Sequence, residues 1–270
     1  HKYSISVDGG KYYCDSLPDD KYDDIMNYEF MVYVCEGSES EQLDWFKVVN
    51  IAGEELTDQE LRNSVYTGKW LTDAKRYFSK RNCAAKGLSD KYIKADPNRQ
   101  ELLEKALMGI CGFQGIDNIT EYMSIHKSDD DADELWQYFQ DVINWVQKIF
   151  PKYYNDMKGL DWCSLYNKYH NNTYNSSAMK TEVEKLHQDD EVQKRKGIYE
   201  YLLCKDKDPF AGRLLNLRAF DNRDKMAVYE RQQGLCNICG EHFEYDEMEG
   251  DHIKTWSKGG RTILDNCQML

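Results

Sequence analysis

Two cysteines near the end of the chain, in Cys236-Asn237-Ile238-Cys239, stand at the spacing that lets one tight turn aim two sulfurs at a single tetrahedral metal ion. This demand restricts the local fold more than any other feature of the sequence. Asp251-His252-Ile253 follows and reads as a strand, on which Asp251 and His252 point to opposite faces. One of the two can then hold a metal while the other reaches a water. Gly259-Gly260 has the backbone freedom to reverse the chain. Asn266 is expected at the start of a following helix, from where its amide returns to the hairpin. Two thiolates alone do not close a zinc site.

In this order, Cys-x-x-Cys, Asp-His-Ile, Trp-Ser-Lys-Gly-Gly-x-Thr and Asn-x-Gln-x-Leu resemble the HNH endonucleases with a ββα-metal fold. The resemblance implies a DNA-cleaving hydrolase in which His252 is the general base, Asp251 binds the catalytic Mg²⁺ or other divalent cation, and Asn266 orients the histidine. Cys236 and Cys239 are then ligands of a structural Zn²⁺. The family pattern continues into a second cysteine pair and a further metal ligand, whereas this sequence stops at Leu270. The expectation is that the end of the active site is missing from it. His242 is read as a surface or packing residue, and Cys267 as small core. The alternative is a catalytically inactive zinc-stapled module that binds nucleic acid or protein.

The formal net charge of −13 excludes a chain that coats DNA through a global basic field. Phosphate contact must then be local. Between Gly212 and Leu235 the basic residues Arg213, Arg218, Arg223, Lys225 and Arg231 outnumber Asp221, Asp224 and Glu230. Lys254, Lys258 and Arg261 lie within the motif itself. Arg223 and these three are the candidate nucleic-acid contacts. Nine scattered cysteines with one close pair point to a reducing cytoplasm rather than a disulfide scaffold. No apolar run approaches the ~20 residues of a membrane span.

The expected fold class is mainly α (α+β), with a small N-terminal β element, a helical middle and the C-terminal ββα-metal domain. Ser4 to Val7 and Lys11 to Tyr13 flank a turn at Asp8-Gly9-Gly10 and predict a hairpin, and Tyr28 to Val34 alternates like another strand. A helix is expected over Glu41 to Asn50, ending near Gly53, and Thr57 with Glu60 forms a capping box opening the next. The arrangement from Phe46 through Asn50, Gly53, Leu56-Thr57 and Glu60-Leu61-Arg62-Asn63 to Gly68 resembles the second half of the DUF262 domain. That family has a ParB-like fold and is often joined to HNH nucleases in bacterial defence against foreign and phage DNA, by restriction. Its Asp-Gly-Gln-Gln-Arg element is not matched by Asp8-Gly9-Gly10-Lys11, so nucleotide sensing is assigned to an upstream region outside this sequence. Because the chain opens on His1, it is expected to begin inside a longer protein. Asn50 and Arg62 are read as surface or capping groups.

Helical periodicity covers Glu101 to Phe113, Ala132 to Phe150, Leu160 to Tyr169 and Ala178 to Leu203, the last interrupted near Asp189-Asp190. Trp136, Trp145, Trp162, Tyr153 and Tyr154 are read as core rather than a base-stacking platform. Asp129 to Asp131 and Asp133 mark a helix start. Lys205 to Pro209 is a polar joint, and Asp224 to Gln233 is a helix beside the zinc turn. The expected divisions are 1–96, a partial DUF262-like region; 97–208, a helical region; and 209–270, the nuclease domain. Oligomerisation is left open.

Overall fold

The computed structural model describes residues 4–7, 10–13, 16–32, 34, 36–49 and 56–270. It divides into two compact units, His1–Val48 and Val49–Leu270. Asp8, Gly9, Asn50 and Gly53, on which sequence expectations fell, lie outside the described residues.

In the first unit the expected hairpin forms: β1 (Ser4–Val7) pairs antiparallel with β2 (Gly10–Tyr13), Ser4 opposite Tyr13. Helix α1 (Asp19–Met26) follows Pro18, with Asp19 and Asp20 at the electropositive first turn. No strand forms over the described residues, 28–32 and 34, of the expected strand Tyr28 to Val34, Tyr33 lying outside them. A strand exists through a neighbour's hydrogen bonds, and among the described residues none runs beside this segment. Its Phe30, Met31 and Val32 stay exposed. Helix α2 (Glu39–Val49) replaces the expected Glu41 to Asn50.

The second unit is helical: α3 (Asp58–Val65), α4 (Lys69–Phe78), α5 (Ala84–Ser89), α6 (Glu101–Gln114), α7 (Ile119–His126), α8 (Asp133–Ile149), α9 (Trp162–Tyr169), α10 (Ser176–Gln188), α11 (Gly197–Cys204) and α12 (Asn222–Gln232). The mainly α class holds. Thr57 caps α3 as read, its hydroxyl accepting the Glu60 N–H while Glu60 reaches back to the Thr57 N–H at 2.8 Å. Helix α8 buries Leu135, Phe139, Val142, Ile143 and Val146 on one face, and α6 packs against α4, α7, α8 and α9. Each such side chain contributes about 1.5–3 kcal/mol on full burial. Arg62 is structural, donating to Glu104 Oε1 at 2.6 Å and so tying α3 to α6. Trp162 is core, and Trp136 and Trp145 are half-buried. Among the described residues no helix is long and apolar enough to cross a membrane.

Where a helix was expected after the motif's loop, the chain instead makes β4 (Cys267–Met269), antiparallel to β3 (Gly250–His252). Cys267 and Met269 face inward and Gln268 outward, so the period is two. They join Phe220, Val228, Cys236 and Met248 in a small core. Cys267 is therefore core, as read, but on a strand. Gln232 on α12 clamps this strand: its amide donates to Met269 O at 2.9 Å and accepts the Met269 N–H at 2.8 Å.

Candidate active site around His252

Asp251 and His252 lie on β3, opposite Gln268 and Cys267 respectively. As alternation requires, Asp251 is exposed and His252 half-buried. The Asp251 carboxylate has no hydrogen bond or ion pair among the described residues. The His252 ring packs against Phe220, centroids 4.5 Å apart, and its Nε2 lies 3.0 Å from Thr262 Oγ1.

Thr262 decides which ring nitrogen carries the proton. Its hydroxyl has one hydrogen and faces two acceptors, Glu191 Oε2 in a short contact and Arg218 O at 3.1 Å. With that hydrogen directed to either, Oγ1 can only accept from His252. The assigned tautomer is therefore Nε2–H, with the Nδ1 lone pair free of any partner among the described residues. Glu191 is itself buried, 5% exposed, and also accepts the Thr262 N–H at 2.9 Å.

The Asn266 side chain makes no hydrogen bond to His252 among the described residues. Its Oδ1 accepts the Lys254 N–H at 2.8 Å, and its Nδ2 donates to Lys254 O at 3.0 Å and Arg261 O at 2.9 Å. It thus returns to the hairpin as expected, from a 3-10 turn at Leu264–Asn266, but it holds the backbone of the 253–266 loop. The histidine is held by Thr262. Gly260 permits this knot, because a Cβ there would sit 1.7 Å from Lys254 O.

The loop is anchored on the helical part of the same unit. Asp189, just after α10, accepts from Trp256 Nε1 at 3.1 Å and pairs closely with Arg261. Burial opposes the charge on Asp189, yet the Glu191 N–H, Arg261 and Trp256 together hold its carboxyl below the ordinary range. Arg261 is thus engaged within the protein, whereas Arg223, Lys254 and Lys258 are exposed without ion pairs among the described residues.

Cys236 and Cys239 occupy one turn. The Cys236 sulfur accepts the Ile238 N–H at 3.5 Å, and the Cys239 N–H first, then that of Ile238, hold its thiol below the ordinary value. Such a turn favours thiolate and suits two of the four ligands of a zinc ion. His242 is exposed, as read. Among the described residues no three His, Cys, Asp or Glu side chains gather closely enough to hold a metal.

Residues 236–270 match the family model of the HNH endonucleases. The HNH segment thereby ties the chain to nuclease chemistry on nucleic acid, a chemistry that in this family generally employs a divalent metal. The chain matches no curated protein and no solved structure. Glu191 and Asp189 lie outside the matched segment, and sequence reading missed both as site residues. Asp189-Asp190 registered there only as a helix break, and nothing local marks Glu191 as the partner of a threonine 71 positions away.

Proposed function

We propose that the chain is a metal-dependent HNH endonuclease that hydrolyses DNA phosphodiester bonds, with His252 as general base. The observation that carries this reading is the wiring of His252, whose Nε2 is committed to Thr262 and whose Nδ1 is left to accept a proton. Nδ1 takes a proton from water as the water oxygen bonds to phosphorus. The phosphorus–oxygen bond to the leaving sugar breaks in line, and the departing oxygen takes a proton from solvent.

Asp251, exposed and unpaired, would hold a Mg²⁺ or similar cation, whose charge stabilises the phosphoryl oxygens and the leaving group. Cys236 and Cys239 would supply two ligands of a structural Zn²⁺. Arg223, Lys254 and Lys258, exposed and without ion pairs among the described residues, would serve as phosphate contacts. Arg261 is the weaker candidate because Asp189 already engages it. Asn266 serves as a positioning residue for the loop. The resemblance of residues 28–80 to DUF262 supports a role in defence against foreign DNA under control of that region.

The test is cleavage of supercoiled plasmid by the full chain, with and without Mg²⁺, comparing wild type with His252→Ala. Loss of a general base lowers the rate by ~10²–10⁴-fold. A folded His252→Ala protein that retains more than about a tenth of the wild-type rate is incompatible with this assignment.

A further inference from the structure

Between the start of α9 and the middle of α6 lies a cavity of about 540 Å³. Four lysines line it: Lys94 ahead of α6, Lys105 on α6, Lys158 in the turn before α9 and Lys196 at the start of α11. Four separate segments therefore bring cations to one hollow in a chain whose formal charge is −13. Lys158 has a distant partner, Asp90, at 3.7 Å, while Lys94, Lys105 and Lys196 have no hydrogen bond or ion pair among the described residues. Gly159 brings two of them close: a Cβ there would lie 3.7 Å from Lys94 Cβ and 3.9 Å from Lys196 Nζ.

The cavity's own acid does not neutralise the cluster. Asp161, the sole carboxylate among the lining residues, is turned to α9, where it caps the helix by accepting the Ser164 N–H at 3.0 Å. The half-buried Ser164 hydroxyl also lines the hollow and has no protein partner among the described residues. Ile93, Met108 and Leu160 provide apolar wall. Four ammonium groups face a single lining carboxylate, so positive charge remains in excess, and the repulsion among the lysines is relieved when a multivalent anion enters. Lysine meets phosphate as a point charge, without needing the planar geometry of a guanidinium.

We propose that this cavity binds a small molecule bearing two or more phosphate groups, with the lysines and Ser164 on the phosphates. The occupant is small because the lysines surround a concavity of ordinary ligand size, roughly 300–1,000 Å³. A duplex backbone is convex and would meet lysines on a ridge. The chain's negative field, screened beyond about 8 Å at physiological salt, does not cancel attraction at contact distance. This site is independent of His252 and of the nuclease reading.

Calorimetric titration of the full chain at physiological ionic strength tests it, with sodium tripolyphosphate, ATP, AMP and a short DNA duplex as probes. Tripolyphosphate and ATP bind saturably at one site, and AMP binds about tenfold or more weaker. Both lysines being exposed, K105Q/K196Q opens no core, and it weakens ATP by about tenfold or more. The charge-matched exposed pair K148Q/K180Q leaves ATP binding unchanged. Tighter binding of ATP than of tripolyphosphate identifies a nucleotide body as part of the ligand, and equal binding identifies the phosphates alone. No saturable binding of either probe overturns the proposal, as does equal weakening by the two lysine pairs. A K105Q/K196Q effect confined to the DNA duplex also overturns it, and makes these lysines a nucleic-acid contact.

Discussion

The proton on Thr262 is the smallest feature on which the proposed chemistry turns. Thr262→Val keeps the shape but removes the oxygen between His252 Nε2 and Glu191. The Glu191 carboxylate and the ring N–H each lose a partner, at about 1–3 kcal/mol per buried group. The expected result is a mixture of His252 tautomers in ring-nitrogen NMR, a single Nε2–H form in wild type, and cleavage at least about tenfold slower, since the ring is then unfixed as a base. An unchanged single tautomer in the valine variant would remove Thr262 from the site. At this scale the sequence was informative where a residue's job depends on its neighbours: Asp251 and His252 split between two faces because they are adjacent on a strand. It was silent on Glu191, whose role is created by a contact across the fold. Asn266 falls between the two, since its return to the hairpin was legible, while its partners were the backbone of Lys254 and Arg261 rather than the imidazole.

Among the elements, the loop between β3 and β4 is held by backbone closeness at one end and by a half-buried acid at the other. Gly260→Ala forces a Cβ against Lys254 O and is expected to cost about 1–3 kcal/mol or more, as overpacking does. Gly212→Ala, where a Cβ meets nothing within 4 Å, is expected to be neutral or to stabilise by about 0.4–1 kcal/mol. Denaturant unfolding of the two variants checks the contrast, and equal effects would refute the close approach. At the other end, Asp189 has a folded pKa below its ordinary value, which is about 3.9 in the unfolded chain. Its stabilisation of the loop is therefore complete above that value and is lost as pH falls through the lower folded one. Trp256 fluorescence followed downward from pH 7 should hold until below pH ~4 and then shift, and Asp189→Asn should abolish that acid step. The β4 strand was within reach of sequence reading through the alternation of Cys267, Gln268 and Met269, but three residues are too few to separate period two from a helix turn.

At the scale of the molecule, the HNH segment works as one face of a larger helical body. The small core it shares with Phe220 and Val228 has six buried side chains, contributing about 1.5–3 kcal/mol each before chain entropy is counted. The helical body adds Asp189 and Glu191, the bridge of Val192 to Leu217, and the Arg218 N–H to Glu191 O at 2.8 Å. These contacts run from the segment just after α10 to both the lead-in of α12 and the loop that carries Thr262, so one short stretch fixes two sides of His252. The division at residue 208, read from the polar joint Lys205 to Pro209, thus falls within the second compact unit, because charge and proline report exposure of the joint and not the contacts made across it. A fragment of residues 209–270 loses every one of those contacts, and domains this small are marginal without a metal or disulfide staple. Expressed alone without zinc, it is expected to show no cooperative thermal transition and rapid amide exchange throughout β3 and β4, whereas the full chain protects both strands. Should the metal-free fragment melt cooperatively at the temperature of the full chain, the helical body would be a neighbour of the site and not part of its support.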